Sequence, residues 1–380
     1  MTRKTYEILD VWLLLESDTK ELPDLFDRDY SRFEMPFPEA ARLEKMEKLG
    51  TLISVSFRQG TAQEGPELRI NEEVRSLDSH PNPAGYACQM LSRILMRKIK
   101  NYLILHAGVA ARDGRAVVLS GPPGAGKSTL TLKLLETGFS FLSDDFCPIH
   151  RGTGLVHPFP RSPWVSKDSP AAARSVEPAL KMGIRGNKVP IQPSHPALKV
   201  ADGPCRIGCI ICLDPGDARN GWGEVRLALR KEGEESLLTA LKEMEEILVE
   251  RMGSGSSEWR IVYPEKRGLV KKIRELLARH SRHIWNYYRV DAICPDFSRQ
   301  PVLTPMPVHE AAFYLMRELK QDLVWEPGLE AGTGCEPAGV TPAATFMELN
   351  ELLAGIPCYY LTTGRLDVMN DLVCKAAEAL

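Results

Sequence analysis

The sequence has no long hydrophobic run, no cysteine framework and no excess of one sign of charge, and each absence removes a class of protein. No stretch reaches the roughly 18 apolar residues that a membrane-crossing helix needs. The apolar patch Val11 to Leu15 is short and flanked by Asp10 and Glu16, which is unlike a secretory leader, so a cytoplasmic location is expected. The nine cysteines are odd in number and scattered, which argues against an oxidised scaffold and for reduced thiols. Lysine and arginine total 48 against 50 acidic residues, a net charge of −2 that points to neither nucleic acid nor a membrane as partner. No repeat at solenoid spacing is present.

What the chain does have is enough apolar material, 43% of 380 residues, for a sizeable core. Its length suggests two or three units at about 150 residues each. Residues 1–90 read as a small α/β region, with strands expected over Tyr6 to Leu15 and Thr51 to Arg58 and helices over Phe37 to Leu49 and Ala84 to Lys100. Residues 91–325 read as the principal α/β unit. Tyr102 to Arg112 and Arg115 to Leu119 are strand-like, and Asp113-Gly114 between them is a hairpin signal, because both turn positions favour positive φ. A helix is expected from Lys127 to Thr137 with Gly138 as its stop, then a strand from Phe139 to Ser143. Residues 148–205 look loop-dominated, Ile207 to Leu213 is a buried strand, and helices are expected over Leu237 to Arg251, Leu269 to Arg279 and His309 to Gln321. Residues 326–380 read as a Gly/Pro-rich linker followed by helix (Phe346 to Leu353), strand (Pro357 to Leu361) and helix (Leu366 to Ala379).

Gly121-Pro122-Pro123-Gly124-Ala125-Gly126-Lys127-Ser128 fits the pattern G-x-x-x-x-G-K-[ST] in full, with a strand before it and a helix after it. Glycines let the backbone turn its N–H groups inward around a phosphate chain, and the following helix N-terminus adds partial positive charge at the same place. Lys127 is expected on the β and γ phosphates, Ser128 on Mg²⁺, and Thr129 at the edge of the same cradle. The next strand ends in Asp144-Asp145. A carboxylate there can enter the metal's shell or accept a proton from an attacking hydroxyl, and adjacent like charges push one of the two pKa values up. A solvated strand-end pair is the plainer alternative.

His106, taken alone, reads as a structural histidine. Its spacing gives it more weight. Leu105-His106-Ala-Gly108, then Gly121 to Ser128, then Leu142-Ser-Asp144-Asp145 resembles the catalytic core of HPr kinase/phosphorylase, closely over residues 106–149. The resemblance extends loosely to Ile207 to Leu213 and to Ile356-Pro-Cys-Tyr-Tyr360, where it is similar to the wider HPr-kinase-related group found in peptide-modification cassettes, such as the SynChlorMet type. It implies a P-loop kinase core of the HPr kinase/phosphoenolpyruvate carboxykinase type and an ATP- and Mg²⁺-dependent transfer to a serine or threonine hydroxyl. It also implies roles: His106 in the catalytic site, Lys127 on phosphate, Ser128 and Asp144 on metal, Asp145 as the base. The chain departs from that family at Gly183-Ile184-Arg185-Gly186, where a metal-binding glutamate gives way to glycine, so HPr itself is not the expected acceptor. A protein or peptide acceptor is expected, with a small molecule or self-association left open. A catalytically silent ATP-binding accessory protein is the rival reading.

Arg161 and Arg185 are candidates for the extra cation that phosphoryl transfer calls for. The basic stretch Lys266 to Arg289, with Trp285, Tyr287 and Tyr288 among its charges, is either a docking face for an acidic partner or a solvated helix face. Cys205, Cys209 and Cys212 have the spacing of a radical iron–sulfur motif, but they fall on an apolar strand where buried thiols are the better reading.

Overall fold

The computed structural model describes residues 1–60, 64–78, 80, 82–166, 188–191, 198–215, 222–252, 257–264, 266–280, 283–290, 296–319 and 341–379. It is a mixed α/β structure with several sheets and, among the described residues, nine α-helices. None of the helices is long and apolar enough to cross a membrane.

The first unit is a six-stranded sheet in the spatial order 34–35, 2–8, 11–17, 52–58, 67–70, 73–76. The single strand expected over Tyr6 to Leu15 is instead a hairpin. The chain reverses after Leu9 (φ 57°), and Thr2–Ile8 pairs antiparallel with Val11–Ser17. No glycine or proline marks that turn, and Asp10 alone stands between the two apolar stretches. Helices Glu21–Tyr30 and Pro83–Lys98 pack on this sheet through Leu22, Phe26, Leu91 and Leu95. The same core continues into Phe146 and Phe159 of the next unit.

The central sheet has the order 140–143, 107–112, 115–120, 206–214, 358–362, 303–306. Tyr102 to Arg112 is two strands rather than one: Tyr102–Leu105 pairs with Cys147–His150 in a separate two-stranded sheet, Ala107–Arg112 joins the central sheet, and His106 stands at the break. The Asp113-Gly114 hairpin forms with φ of 54° and 74°. Arg115–Ser120, Arg206–Asp214 and Cys358–Thr362 run parallel. Val117, Leu119, Cys209, Ile211 and Leu213 face helices Lys127–Glu136 and Leu366–Glu378. Val109, Val118, Ile210, Cys212 and Cys358 face Val308–Met316 and Pro342–Leu352. A sheet buried on both faces explains why its central strands read as continuous apolar runs. It also settles the cysteine spacing: Cys209 and Cys212 belong to opposite cores, and burial pushes the Cys209 thiol up to about 12 and Cys212 further. The C-terminal strand is part of this sheet, so residues 358–362 share a core with strands 107–112, 115–120 and 206–214.

Between the parallel strands lies a second sheet with two helices. The order is Trp222–Leu229, helix Lys231–Lys242, Leu248–Arg251, Glu258–Pro264, helix Arg267–Arg279, Ile284–Val290, a βαββαβ unit whose strands are all antiparallel. The helix expected over Leu237 to Arg251 therefore ends at Lys242. Glu246 takes a positive φ of 69°, and the chain re-enters as a strand.

Candidate active site

Topology brings the expected residues to one edge. Ala107–Arg112 runs antiparallel to both Arg115–Ser120 and Ser140–Ser143. The start of the first strand and the ends of the other two therefore coincide, which places His106, Gly121 and Asp144 together.

The loop from Gly121 to Gly126 is shaped by its glycines. A side chain on Gly121 would meet Leu213 Cβ at 3.0 Å and the Leu213 carbonyl oxygen at 3.1 Å. Gly124 and Gly126 take φ of 87° and 94°, which suits glycine alone. Ala125 is buried and its N–H donates to the Pro122 carbonyl, while Pro123 is exposed. Gly126 caps helix Lys127–Glu136 without a side chain, so the first-turn N–H groups face the loop with the helix's partial positive charge behind them. Thr129 is half-buried in that first turn. Lys127 is 5% exposed, and its ammonium donates to the carbonyls of Gly121 (2.6 Å) and Pro122 (3.3 Å).

One turn of chemistry connects this helix to the paired acids. Ser128 Oγ donates to Asp144 Oδ2 at 2.7 Å. Two neighbouring oxygens of a six-coordinate Mg²⁺ lie about 2.9 Å apart, so this pair already has the spacing of two adjacent ligands. Asp144 is 3% exposed, and its other oxygen, Oδ1, has no hydrogen-bond partner among the described residues. A buried carboxylate oxygen left so is costly unless something enters to meet it. Burial, with the charge of Asp145 added, pushes the Asp144 carboxyl up to about 6, against the pull of Ser128, Lys127 and His106. The donor set of hydroxyl and carboxylate suits a hard cation that keeps water and phosphate oxygens as its other ligands.

Asp145 faces elsewhere. Its φ of 67° turns the two consecutive carboxylates apart, Asp144 inward and Asp145 to a side chain 41% exposed. Asp145 Oδ1 lies 3.2 Å from His106 Nε2, and His106 Nδ1 lies 3.0 Å from Glu318 Oε2. Glu318 is 8% exposed, and its carbonyl also accepts the His106 N–H at 2.6 Å. Both ring nitrogens of His106 are thereby engaged by carboxylate oxygens, which fixes the orientation of the ring. Glu318 was not anticipated. It lies 212 residues from His106 in sequence and follows the helix Val308–Met316, so no local spacing announces it.

The remaining candidates divide. Arg161 is not on the loop. Its guanidinium donates to Asp29 Oδ2 of the N-terminal unit at 2.9 Å and stacks on Phe146, next in sequence to Asp145. Arg185 and the segment Gly183 to Gly186 lie outside the described residues. In the basic helix, Ile273, Leu276 and Leu277 are buried, while Lys271 and Glu275 on the outer side pair at 3.8 Å, which is the solvated-face arrangement. Arg282 and the side chains of Arg267, Trp285, Tyr287, Tyr288 and Arg289 lie outside the described residues.

No protein-family model matches the chain, and no curated protein sequence matches it. Among solved structures, the Hpr(Ser) kinase/phosphatase from Coxiella burnetii is similar at 17% sequence identity with a TM-score of 0.19, over 47% of this chain and 95% of that one.

Proposed function

We propose that the chain is an ATP-dependent phosphotransferase with a P-loop kinase core, moving the γ-phosphoryl group of ATP to a serine or threonine hydroxyl of a protein or peptide. The observation that carries this reading is the pairing of Ser128 with Asp144 at 2.7 Å beside the glycine loop, with Asp145 turned away from that pair onto His106. The amides of Gly121 to Thr129 and the Lys127 ammonium would hold the phosphate chain, Lys127 exchanging its loop carbonyls for phosphate oxygens. Ser128 and Asp144 would hold Mg²⁺, which supplies charge neutralisation on the phosphate oxygens. Asp145 takes the proton of the attacking hydroxyl. The acceptor oxygen forms its bond to the γ-phosphorus as the bond to the β,γ-bridging oxygen breaks, and that electron pair leaves with ADP. His106, braced by Glu318, orients the Asp145 carboxylate toward the hydroxyl.

Incubation with γ-labelled ATP, Mg²⁺ and a serine- and threonine-containing peptide library tests this. Label should appear on peptide with the parent protein and vanish with Lys127→Ala, which also loses nucleotide binding. Asp145→Asn should bind ATP as the parent does and lose transfer by about 10²–10⁴-fold. Undiminished transfer by Asp145→Asn would remove the base from the scheme. Binding without transfer to any peptide or small hydroxyl acceptor would favour the accessory role instead.

A further inference from the structure

Asp29 of the N-terminal unit forms an ion pair with Arg161, in the segment that runs beside the strand of the paired acids. The stretch Val156 to Ser162 runs beside the strand that ends in the paired acids: Ser143 and Phe159 form a parallel bridge, and the Phe159 N–H donates to the Leu142 carbonyl at 2.8 Å. Two residues beyond that bridge, on one chain and the other, stand Asp145 and Arg161. The Arg161 guanidinium lies 4.5 Å from the Phe146 ring centroid and 5.4 Å from that of Tyr30. Asp29 holds it with a 2.9 Å bond and also accepts the Ser162 N–H at 3.3 Å. The side chain is only 13% exposed, yet its Nε has no hydrogen-bond partner among the described residues. An arginine that served merely to join two units would be expected to spend its buried donors in the joint.

Resting on the phosphotransferase reading, we propose that Arg161 is the cation that faces the γ-phosphoryl group in transit, and that Asp29 is the positioning residue that holds it there. During transfer the three outer oxygens of that group carry negative charge and take no proton, so a fixed guanidinium is the group that meets them. Stacking between Phe146 and Tyr30 and the bond to Asp29 fix the plane of Arg161 before nucleotide arrives. The residues of 1–76 thereby gain a part in the chemistry: they carry the carboxylate that aims the arginine at the Asp145 side of the site.

The test needs no acceptor. Mg·ADP binding is measured with and without aluminium fluoride, whose planar complex imitates the phosphoryl group between its two oxygens. Fluoride should tighten binding to the parent by about 10²-fold or more and to Arg161→Lys by less than about tenfold, with ADP alone bound equally by both. Asp29→Asn should lose part of the gain at unchanged ADP affinity, and guanidinium ion added to Arg161→Ala should restore part of it. Thermal unfolding of each variant checks that it is folded. A full fluoride gain in Arg161→Lys, or an equal loss in binding of ADP alone, would overturn the assignment. A parent protein that does not bind Mg·ADP at all would instead bring down the phosphotransferase reading beneath it.

Discussion

At the scale of single residues the site is organised by close approach. Gly108 sits where a side chain would meet Thr131 Oγ1 at 2.2 Å and Asp144 Oδ1 at 3.4 Å. Both of those oxygens are buried and without a hydrogen-bond partner among the described residues, so the space above Gly108 is where the helix and the paired acids come nearest the hairpin. Thr131 is fully buried and too short to swing aside. Gly108→Ala should therefore lower stability by about 1–3 kcal/mol in urea unfolding. Thr131→Ala in the same chain should recover much of the loss, since Thr131 Cβ lies at an ordinary 3.5 Å. A double variant as unstable as Gly108→Ala would show that the crowding lies elsewhere. That Gly121, Lys127, Ser128 and Asp144 would lie near one another could be read from the sequence, because each falls at a local spacing around the same loop and strand end. Glu318 was not, because its partner is reached only through the return of a distant helix.

At the scale of elements, sequence pattern finds strands and helices where the period is sustained and fails where two elements share one run. The break at His106 leaves no mark, since Tyr102 to Leu105 and Ala107 to Ala110 are all apolar and both halves are buried in their own sheets. The helix Lys231–Lys242 and the strand Leu248–Arg251 were likewise read as one, because Leu237, Leu238 and Leu241 lead into Ile247 and Val249 without a glycine or proline between. A titratable group stands at another junction, between the last strand of the first sheet and the helix that follows it. His80, ahead of helix Pro83–Lys98, is pulled from 6.5 down to about 4 by burial first, with Arg230 of the βαββαβ unit adding to it and the Asn82 backbone opposing. Its neutral form is the one the fold favours. The stabilisation is complete above pH 6.5 and is lost as the pH falls from about 6.5 to about 4, because the unfolded chain binds the proton first. His80→Gln should flatten the loss of stability across that window by about 1–3 kcal/mol, read from urea unfolding at a series of pH values. An unchanged slope would place the titration in another group.

At the scale of the molecule, the described residues form five sheets, and the chain leaves the central one and returns to it. The central sheet draws its strands from residues 107–143, 206–214, 303–306 and 358–362, with the βαββαβ unit inserted between the second and third of these. The individual strand Cys358–Thr362 was visible as an apolar run, but its place beside Arg206–Asp214 was not, since nothing local specifies a partner about 150 residues away. What the interleaving achieves is convergence: the start of one strand, the ends of two others and the turn after a distant helix meet at the edge where Gly121 to Ser128 lies. The account is tested most directly by a crystal structure with Mg²⁺ and a non-hydrolysable ATP analogue. It predicts the triphosphate on the amides of Gly121 to Thr129, Lys127 turned from its loop carbonyls onto phosphate, and the metal between Ser128 and Asp144 with the terminal phosphate facing Asp145. A nucleotide seated elsewhere, or a loop left empty at saturating analogue with Lys127 still on Gly121 and Pro122, would contradict it.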